Sequence, residues 1–270
     1  MCEHCGCAIT DSGAAPAGAA HPHADPSRAS ISVVRDLLAQ NDRLAAHNRE
    51  HFDSCGVLAV NLMSSPGAGK TSLLESTIEA LAGRARIAVI EGDLATENDA
   101  RRIRAKGVPA VQISTGSACH LDARMVHEAL HDLVLEGLDL LFIENVGNLV
   151  CPASFDLGEH LDVTLLSVPE GDDKPQKYPV MFRAADLMLL TKCDFLPLLP
   201  EFDPVRAESG LRALGSDVPV VRFSTRTGEG LAAWCDWLNG QLIRLREHAL
   251  YPEPAGEPLE RTAEQPRIAG

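Results

Sequence analysis

An apolar run from Val57 to Met63 leads into Ser64-Ser65-Pro66-Gly67-Ala68-Gly69-Lys70-Thr71, which opens a helix-prone run from Ser72 to Ala82. A buried strand, a glycine-bearing turn and a helix start in direct succession leave few folds open to a chain. The glycines let backbone N–H groups close around phosphate oxygens without Cβ clashes. The helix start adds the positive end of its dipole. Pro66, Gly67, Ala68, Gly69, Lys70, Thr71 and Ser72 therefore read as a phosphate cradle. Lys70 supplies a point charge for the terminal phosphates, and the Thr71 hydroxyl a ligand for Mg²⁺. The usual pattern begins with glycine; here Ser64 stands in that place, leaving Pro66, Gly67 and Gly69 to shape the loop.

Downstream, apolar runs at 57–64, 86–92, 110–114, 139–145, 161–168, 186–192 and 218–224 alternate with helical runs at 71–82, 97–106, 121–136, 175–184, 204–214 and 230–248. Apolar strands separated by helices predict a mostly parallel sheet with helices on both faces, the α/β class of the P-loop NTPases. The 270 residues suffice for one large domain with tails. Residues 1–27, rich in Ala, Gly, Pro and His, read as a flexible metal-binding tail. Residues 28–250 read as the P-loop domain, entered through an amphipathic helix over 31–51 that carries Ile31, Val34, Leu37, Leu38 and Leu44. The proline-bearing 251–270 reads as a disordered tail. Only 4% of residues are aromatic, so an aliphatic core is expected.

A net charge of −14 repels phosphate backbones and argues against nucleic-acid binding. No apolar run reaches membrane-spanning length, and Met1-Cys2-Glu3-His4-Cys5 lacks the basic and apolar regions of a signal peptide. A cytoplasmic protein without a membrane partner is expected. Its eight cysteines then read as thiols and metal ligands.

Four strand ends complete a nucleotide site. Ile87 to Asp93 is an apolar strand ending in acids, and Asp93, just beyond it, can hold Mg²⁺ directly or through water. Leu140 to Gly147 ends in Glu144-Asn145-Val146-Gly147, an acidic motif whose Gly147 N–H can meet a γ-phosphate. Thr191-Lys192-Cys193-Asp194 resembles the base-reading Asn-Lys-x-Asp. Asp194 accepts from the ring N–H and amino group of guanine, a donor pair that adenine lacks, so GTP is the expected nucleotide. The Lys192 stem lies over the base. Thr191 replaces the asparagine and predicts weaker guanine binding. Phe223-Ser224-Thr225-Arg226 resembles the Ser-Ala-Lys loop that also touches guanine, with Thr225 and Arg226 substituted.

Two cysteine clusters point to metal. Cys2, Cys5 and Cys7, with His4, crowd into six residues. Three sulfurs and a terminal amine suit planar Ni²⁺, whereas tetrahedral binding with His4 suits Zn²⁺. Cys119-His120 precedes a helix and Cys151 follows the Glu144 motif, three ligands that two chains can share to close a site. Cys55, Cys193 and Cys235 read as ordinary core or surface thiols. His127-Glu128-x-x-His131 matches the zinc-protease helix, but no extension of that motif follows and the helix belongs to a nucleotide-binding sheet. It reads as a solvated or partner-facing surface.

Together with Cys2-x-x-Cys5-Gly6-Cys7, Ser65 to Thr71, Glu91-Gly92-Asp93, Cys119-His120 and Glu144 to Pro152, the run Glu170-Gly171-Asp172-Asp173-Lys174-Pro175-x-Lys177-Tyr178-Pro179 resembles the HypB family of hydrogenase nickel-incorporation GTPases. The resemblance covers roughly residues 30–248 and the cysteine head. It implies a slow GTPase that inserts nickel into [NiFe]-hydrogenase, with metal release tied to the GTP/GDP state. Lys70, Thr71, Asp93 and Glu144 would serve phosphate and Mg²⁺, and Lys192, Asp194 and Ser224 the base. Cys2, Cys5 and Cys7 would form a tight nickel site. Cys119, His120 and Cys151 would form a weaker Ni²⁺ or Zn²⁺ site at a homodimer interface. Implied partners are an accessory zinc/nickel maturation protein and the hydrogenase large-subunit precursor. The histidine-rich storage tract of many relatives is reduced to His21 and His23. Two rival readings are a nickel buffer with a vestigial nucleotide site and an accessory GTPase for another metalloenzyme, such as urease.

Overall fold

The computed structural model describes residues 26–93, 97–116 and 118–250, with side chains from residue 35 onward. Cys2, Cys5 and Cys7 lie outside the described residues. Residues up to Leu37 fall in a first unit, and everything from Leu38 onward forms a second that holds the sheet.

The first helix, α1, spans Pro26–Cys55, longer than the 31–51 read from periodicity. Its C-terminus explains the extra turn. Gly56 takes φ 66° and donates to Asp53 O at 3.1 Å, while Val57 N donates to Phe52 O at 3.0 Å. This is a Schellman cap, and Phe52 and Val57 close it as a buried apolar pair. The chain then alternates: β1 Leu58–Ser64, α2 Lys70–Ala80, β2 Ile87–Asp93, α3 Asn98–Arg104, β3 Ala110–Ser114, α4 Ala123–Leu130, β4 Leu140–Glu144, β5 Leu161–Ser167, α5 Lys174–Lys177, α6 Pro179–Ala184, β6 Leu187–Thr191, α7 Pro204–Ala213, β7 Val220–Arg222 and α8 Leu231–Leu250. The seven strands stand in the order β3-β2-β4-β1-β5-β6-β7, and every pairing is parallel.

Alternate residues of each strand feed two layers. Leu58, Val60 and Leu62 face α2, α3 and α8 through Leu73, Ile78, Ile103 and Trp234. Ala59, Ala88, Ile90, Leu141 and Ile143 face α1 and α4 through Phe52, Val126 and Leu130. The α6 and α7 helices cover β5 and β6 through Phe182, Ala207 and Leu211. The core is aliphatic by number, but its largest fully buried side chains include Trp234, Phe52, Phe142, Phe182 and Phe223. The few aromatics are concentrated inside, where each removes the most apolar area from water. Cys193 and Cys235 are buried and Cys55 is half-buried.

Two further helices differ from their sequence spans, and one turn was not expected. α4 stops at Leu130 instead of residue 136, because Leu135 turns back into the core and Gly137 takes φ 81° to re-enter the sheet. The expected helix 175–184 breaks in two at Tyr178 (φ −125°, ψ 57°), since Pro179 drives its predecessor out of the helical region. The segment Cys193–Leu198 forms a 3₁₀ turn that periodicity does not reveal. Among the described residues no helix is long and apolar enough to cross a membrane.

Asn48 ties α1 to the domain. It is fully buried, and its Nδ2 donates to Ala123 O and Leu157 O, each at 2.9 Å. Asn48→Ala leaves two carbonyls without a donor in the interior. The expected loss is about 2–3 kcal/mol of stability, read as a lower urea midpoint at unchanged slope; an unchanged midpoint would contradict it.

Candidate functional site

The phosphate loop joins β1 to α2. Gly67 takes φ 75° and Gly69 φ 103°, conformations that a side chain strains, and Gly69 caps α2. Ser64 is not among the described residues with positive φ, so its backbone does not require glycine. Its hydroxyl donates to Ser65 O at 2.7 Å and accepts from Lys70 Nζ at 3.2 Å. Serine at this position thus holds the lysine in line with the loop.

A cleft of about 480 Å³ opens over this loop, lined among others by Lys70, Thr71, Ser72, Asp93, Glu144 and Gly147. Thr71 Oγ1 donates to Glu144 Oε1 at 3.0 Å, and Lys70 Nζ lies 3.9 Å from the same oxygen. Gly147 is set by close approach: a Cβ there would lie 2.7 Å from Pro66 Cα. Any other residue would push the loop after β4 away from the phosphate loop.

The sequence reading missed Glu91. It stands directly opposite Glu144 in the β2–β4 register and lines the same cleft. Burial, then repulsion from Glu144, pushes the Glu91 carboxyl up to about 10, so it keeps its proton and donates to Glu144. Burial likewise raises Glu144, opposed first by Lys70. Glu91 Oε1 and Glu144 Oε2 are buried without a hydrogen-bond partner. Two orphaned hard oxygens beside the Thr71 hydroxyl fit a divalent cation such as Mg²⁺. The signal in the sequence was Glu91 itself, at the end of an apolar strand; the register that pairs it with Glu144 was not visible there.

Glu91 gives a pH prediction. Its folded pKa of about 10 lies above its usual 4.5. Its contribution to stability is therefore complete below pH 4.5 and is lost as pH rises toward 10. In chelator without nucleotide, Glu91→Gln is expected to be more stable than wild type at pH 8 by on the order of 1–3 kcal/mol. Urea midpoints at pH 6 and pH 9 check this, and a lower midpoint for the variant at pH 9 would contradict it.

At the other side of the loop, Thr191 Oγ1 donates to Ala68 O at 2.7 Å and Lys192 Nζ to Gly67 O at 2.7 Å. The threonine and lysine that replace and follow the usual asparagine brace the phosphate loop from β6. Lys192 sits at φ 58°, the sole non-glycine residue with positive φ among those described. Asp194 accepts from the buried Ser224 hydroxyl at 2.7 Å, which aims its carboxylate from the end of β6.

Cys119, His120 and Cys151 come together, with one potential ligand atom from each lying within 4.8 Å of the others. The two sulfurs are 3.1 Å apart, and His120 Nδ1 lies 3.7 Å from Cys119 Sγ. The His120 ring stacks on Phe155 with centroids 4.0 Å apart, and burial lowers its pKa, so the imidazole is offered neutral. The hydrogen bond shared with Cys119, then burial, raises the Cys151 thiol. Two thiols and an imidazole at this spacing suit Ni²⁺ or Zn²⁺.

One segment touches both groups. Asn145 Oδ1 accepts from Leu121 N at 3.1 Å, and Asn148 Nδ2 donates to Cys119 O at 3.2 Å. Residues 144–151 thus run from Thr71, past Pro66, to Cys119. The His127–His131 motif is not a bare surface. His127 faces His47 and His51 of α1, and burial, then His131, His47 and His51, lower its pKa.

Comparison with known proteins agrees with this architecture. Residues 58–210 match the model of the CobW/HypB/UreG nucleotide-binding domain. The chain is 53% identical over 243 residues to the hydrogenase maturation factor HypB of Azotobacter chroococcum mcd 1, covering 88% of this chain and 78% of that protein. It is 51% identical over 214 residues to the HypB of Escherichia coli strain K12, covering 79% and 73%. The crystal structure of HypB from Helicobacter pylori in complex with nickel superposes with TM-score 0.71 at 42% identity, covering 78% of this chain and 97% of that one. With the phosphate loop, the all-parallel sheet and this likeness, the chain belongs to the HypB members of the CobW/HypB/UreG family.

Proposed function

We propose that this chain is a GTP-hydrolysing nickel metallochaperone of [NiFe]-hydrogenase maturation, with metal release coupled to the GTP/GDP state. The observation that carries the reading is the 144–151 segment. One end accepts the Thr71 hydroxyl, Gly147 abuts Pro66, and the other end brings Cys151 to Cys119. A segment that senses a γ-phosphate at Gly147 is placed to shift the thiol at Cys151 four residues on, because Asn148 ties it to Cys119 O and Leu149 anchors it in the interior. The names of the relatives supply the client, and the nickel-bound Helicobacter pylori structure supplies the cargo.

In this reading Lys70 and the loop N–H groups from Gly67 to Ser72 hold the phosphates. Asp194, set by Ser224, and the stem of Lys192 hold guanine. Thr71, Glu144 and Glu91, with Asp93 at the rim, hold Mg²⁺, which when bound neutralises charge on the phosphates. Cys119, His120 and Cys151 hold Ni²⁺ or Zn²⁺ and leave a fourth position for a second copy of the chain. Val150, next to Cys151, is 58% exposed, as an interface residue in the free chain would be. Cys2, Cys5 and Cys7 add a tighter nickel site. An accessory zinc/nickel maturation protein and the hydrogenase large-subunit precursor are the proposed partners.

The test is turnover of GTP against ATP by the purified chain with Mg²⁺. GTP is expected to be hydrolysed selectively, and Asp194→Ala to lose that selectivity. Equal turnover of both nucleotides by wild type would overturn the assignment of guanine.

A further inference from the structure

Two facing helices present histidine pairs spaced four residues apart: His47 and His51 on α1, and His127 on α4 with His131 as the residue that caps its C-terminus. We propose that these four histidines form a separate, all-nitrogen binding site for a late first-row divalent metal ion. His127 is the hub. Its ring centroid lies 5.2 Å from that of His47, 6.1 Å from His51 and 5.1 Å from His131. His47 and His51 are 4.6 Å apart by centroid, and their Nε2 atoms are 3.2 Å apart. With metal–nitrogen bonds of about 2.1 Å, imidazoles around one ion have centroids about 4.5–5.5 Å apart. His47, His51 and His131 are exposed, which leaves their rings room to turn toward His127.

The support beneath His127 is that of a built site. His127 Nδ1 lies 3.1 Å from Asn48 Oδ1. Asn48 cannot flip, because its Nδ2 already donates to Ala123 O and Leu157 O. Its Oδ1 accepts only, so Nδ1 of His127 carries the proton and Nε2 keeps its lone pair. A metal-binding histidine is typically fixed in this way, through its other nitrogen. The charged neighbours do not fill the cluster. Glu50 reaches only His47 Nδ1, at 4.0 Å, and Glu128 pairs with Arg124 at 3.1 Å. Imidazole donors select Ni²⁺, Zn²⁺ or Cu²⁺ over Mg²⁺. His127 follows His120 by seven residues, with the start of α4 at Ala123 between them, so the site is separate from the thiol cluster. It is a holding place for metal whose ligands differ in kind from those of the cysteine sites.

The test is Ni²⁺ titration of the full chain carrying Cys2/Cys5/Cys7→Ser and Cys119/Cys151→Ser. This chain is expected to bind Ni²⁺ without a thiolate charge-transfer band. Adding His47→Gln and His51→Gln is expected to weaken that binding at least about tenfold, with the melting temperature unchanged because both residues are exposed. Unchanged affinity and stoichiometry in the histidine variant would overturn the proposal. An independent reading keeps every histidine in place. In the same chain, which lacks the five cysteines of the two thiol sites, the ring resonances of His47, His51 and His127 are expected to broaden with the first equivalent of paramagnetic Ni²⁺. Sharp resonances at saturation would equally overturn it.

Discussion

Lys70→Ala is expected to lower GTP turnover by about three orders of magnitude while leaving nickel binding at the cysteines within a factor of a few. Lys70 is 7% exposed. Its ammonium rests between Ser64 Oγ at 3.2 Å and Glu144 Oε1 at 3.9 Å. That places one fixed positive charge at the mouth of the phosphate loop, and no other lysine or arginine among the described residues contacts Glu144. Without it, the other cations of the cleft are already engaged, Lys192 with Gly67 O and Arg102 with Glu75 and Asp99, and charge developing on the transferred phosphoryl group is left to backbone N–H groups and Mg²⁺. The effect separates two functions. A chain that only buffers nickel would still support hydrogenase maturation in the Lys70→Ala form, whereas a nucleotide-driven metallochaperone would not. Single-turnover hydrolysis and hydrogenase activity in cells carrying the variant are the two readouts.

The second large effect lies at the thiols. In a Cys2/Cys5/Cys7→Ser background, Cys151→Ser is expected to weaken Ni²⁺ binding by on the order of 10²–10³-fold. Serine keeps the shape but replaces a soft sulfur with a hard oxygen that stays protonated. Cys119→Ser should behave alike, because the two sulfurs are 3.1 Å apart and offer one site. GTP turnover at saturating nucleotide should change little, since neither sulfur lines the phosphate cleft. Equilibrium dialysis with Ni²⁺ checks the first statement. A Cys151→Ser chain with wild-type affinity would remove Cys151 from the metal site.

The fold was legible where the signal is local. Apolar strands ending in turn residues mark β1 to β6 within a residue or two, and their unbroken apolar character announces burial on both faces. The sequence failed where tertiary contacts override periodicity. α4 ends early because Leu135 is drawn into the core, and the 175–184 helix breaks because Pro179 forbids a helical Tyr178. The same division holds at the sites. Lys70, Thr71, Glu144 and Gly147 stand at strand ends that a motif can locate. Glu91 also stands near a strand end, but its role was hidden because it depends on the β2–β4 register that sets it against Glu144. The histidine cluster was invisible for the same reason. His47 and His127 are far apart in the chain, and only the docking of α1 against α4 through Asn48 brings them face to face. Ser64 and Thr191, departures from the usual motifs, gain their sense from distance alone: one positions Lys70, the other ties β6 to Ala68.

The central claim is that the 144–151 segment makes the metal site depend on the nucleotide. Coupling of this kind is reciprocal: whatever GTP does to nickel affinity, nickel must do to GTP affinity. The most direct measurement is Ni²⁺ affinity of the Cys2/Cys5/Cys7→Ser chain with Mg²⁺ and either GDP or a non-hydrolysable GTP analogue. The predicted result is a difference of about 5–150-fold between the two nucleotide states, abolished by Cys151→Ser. The same nickel affinity in both states would contradict it.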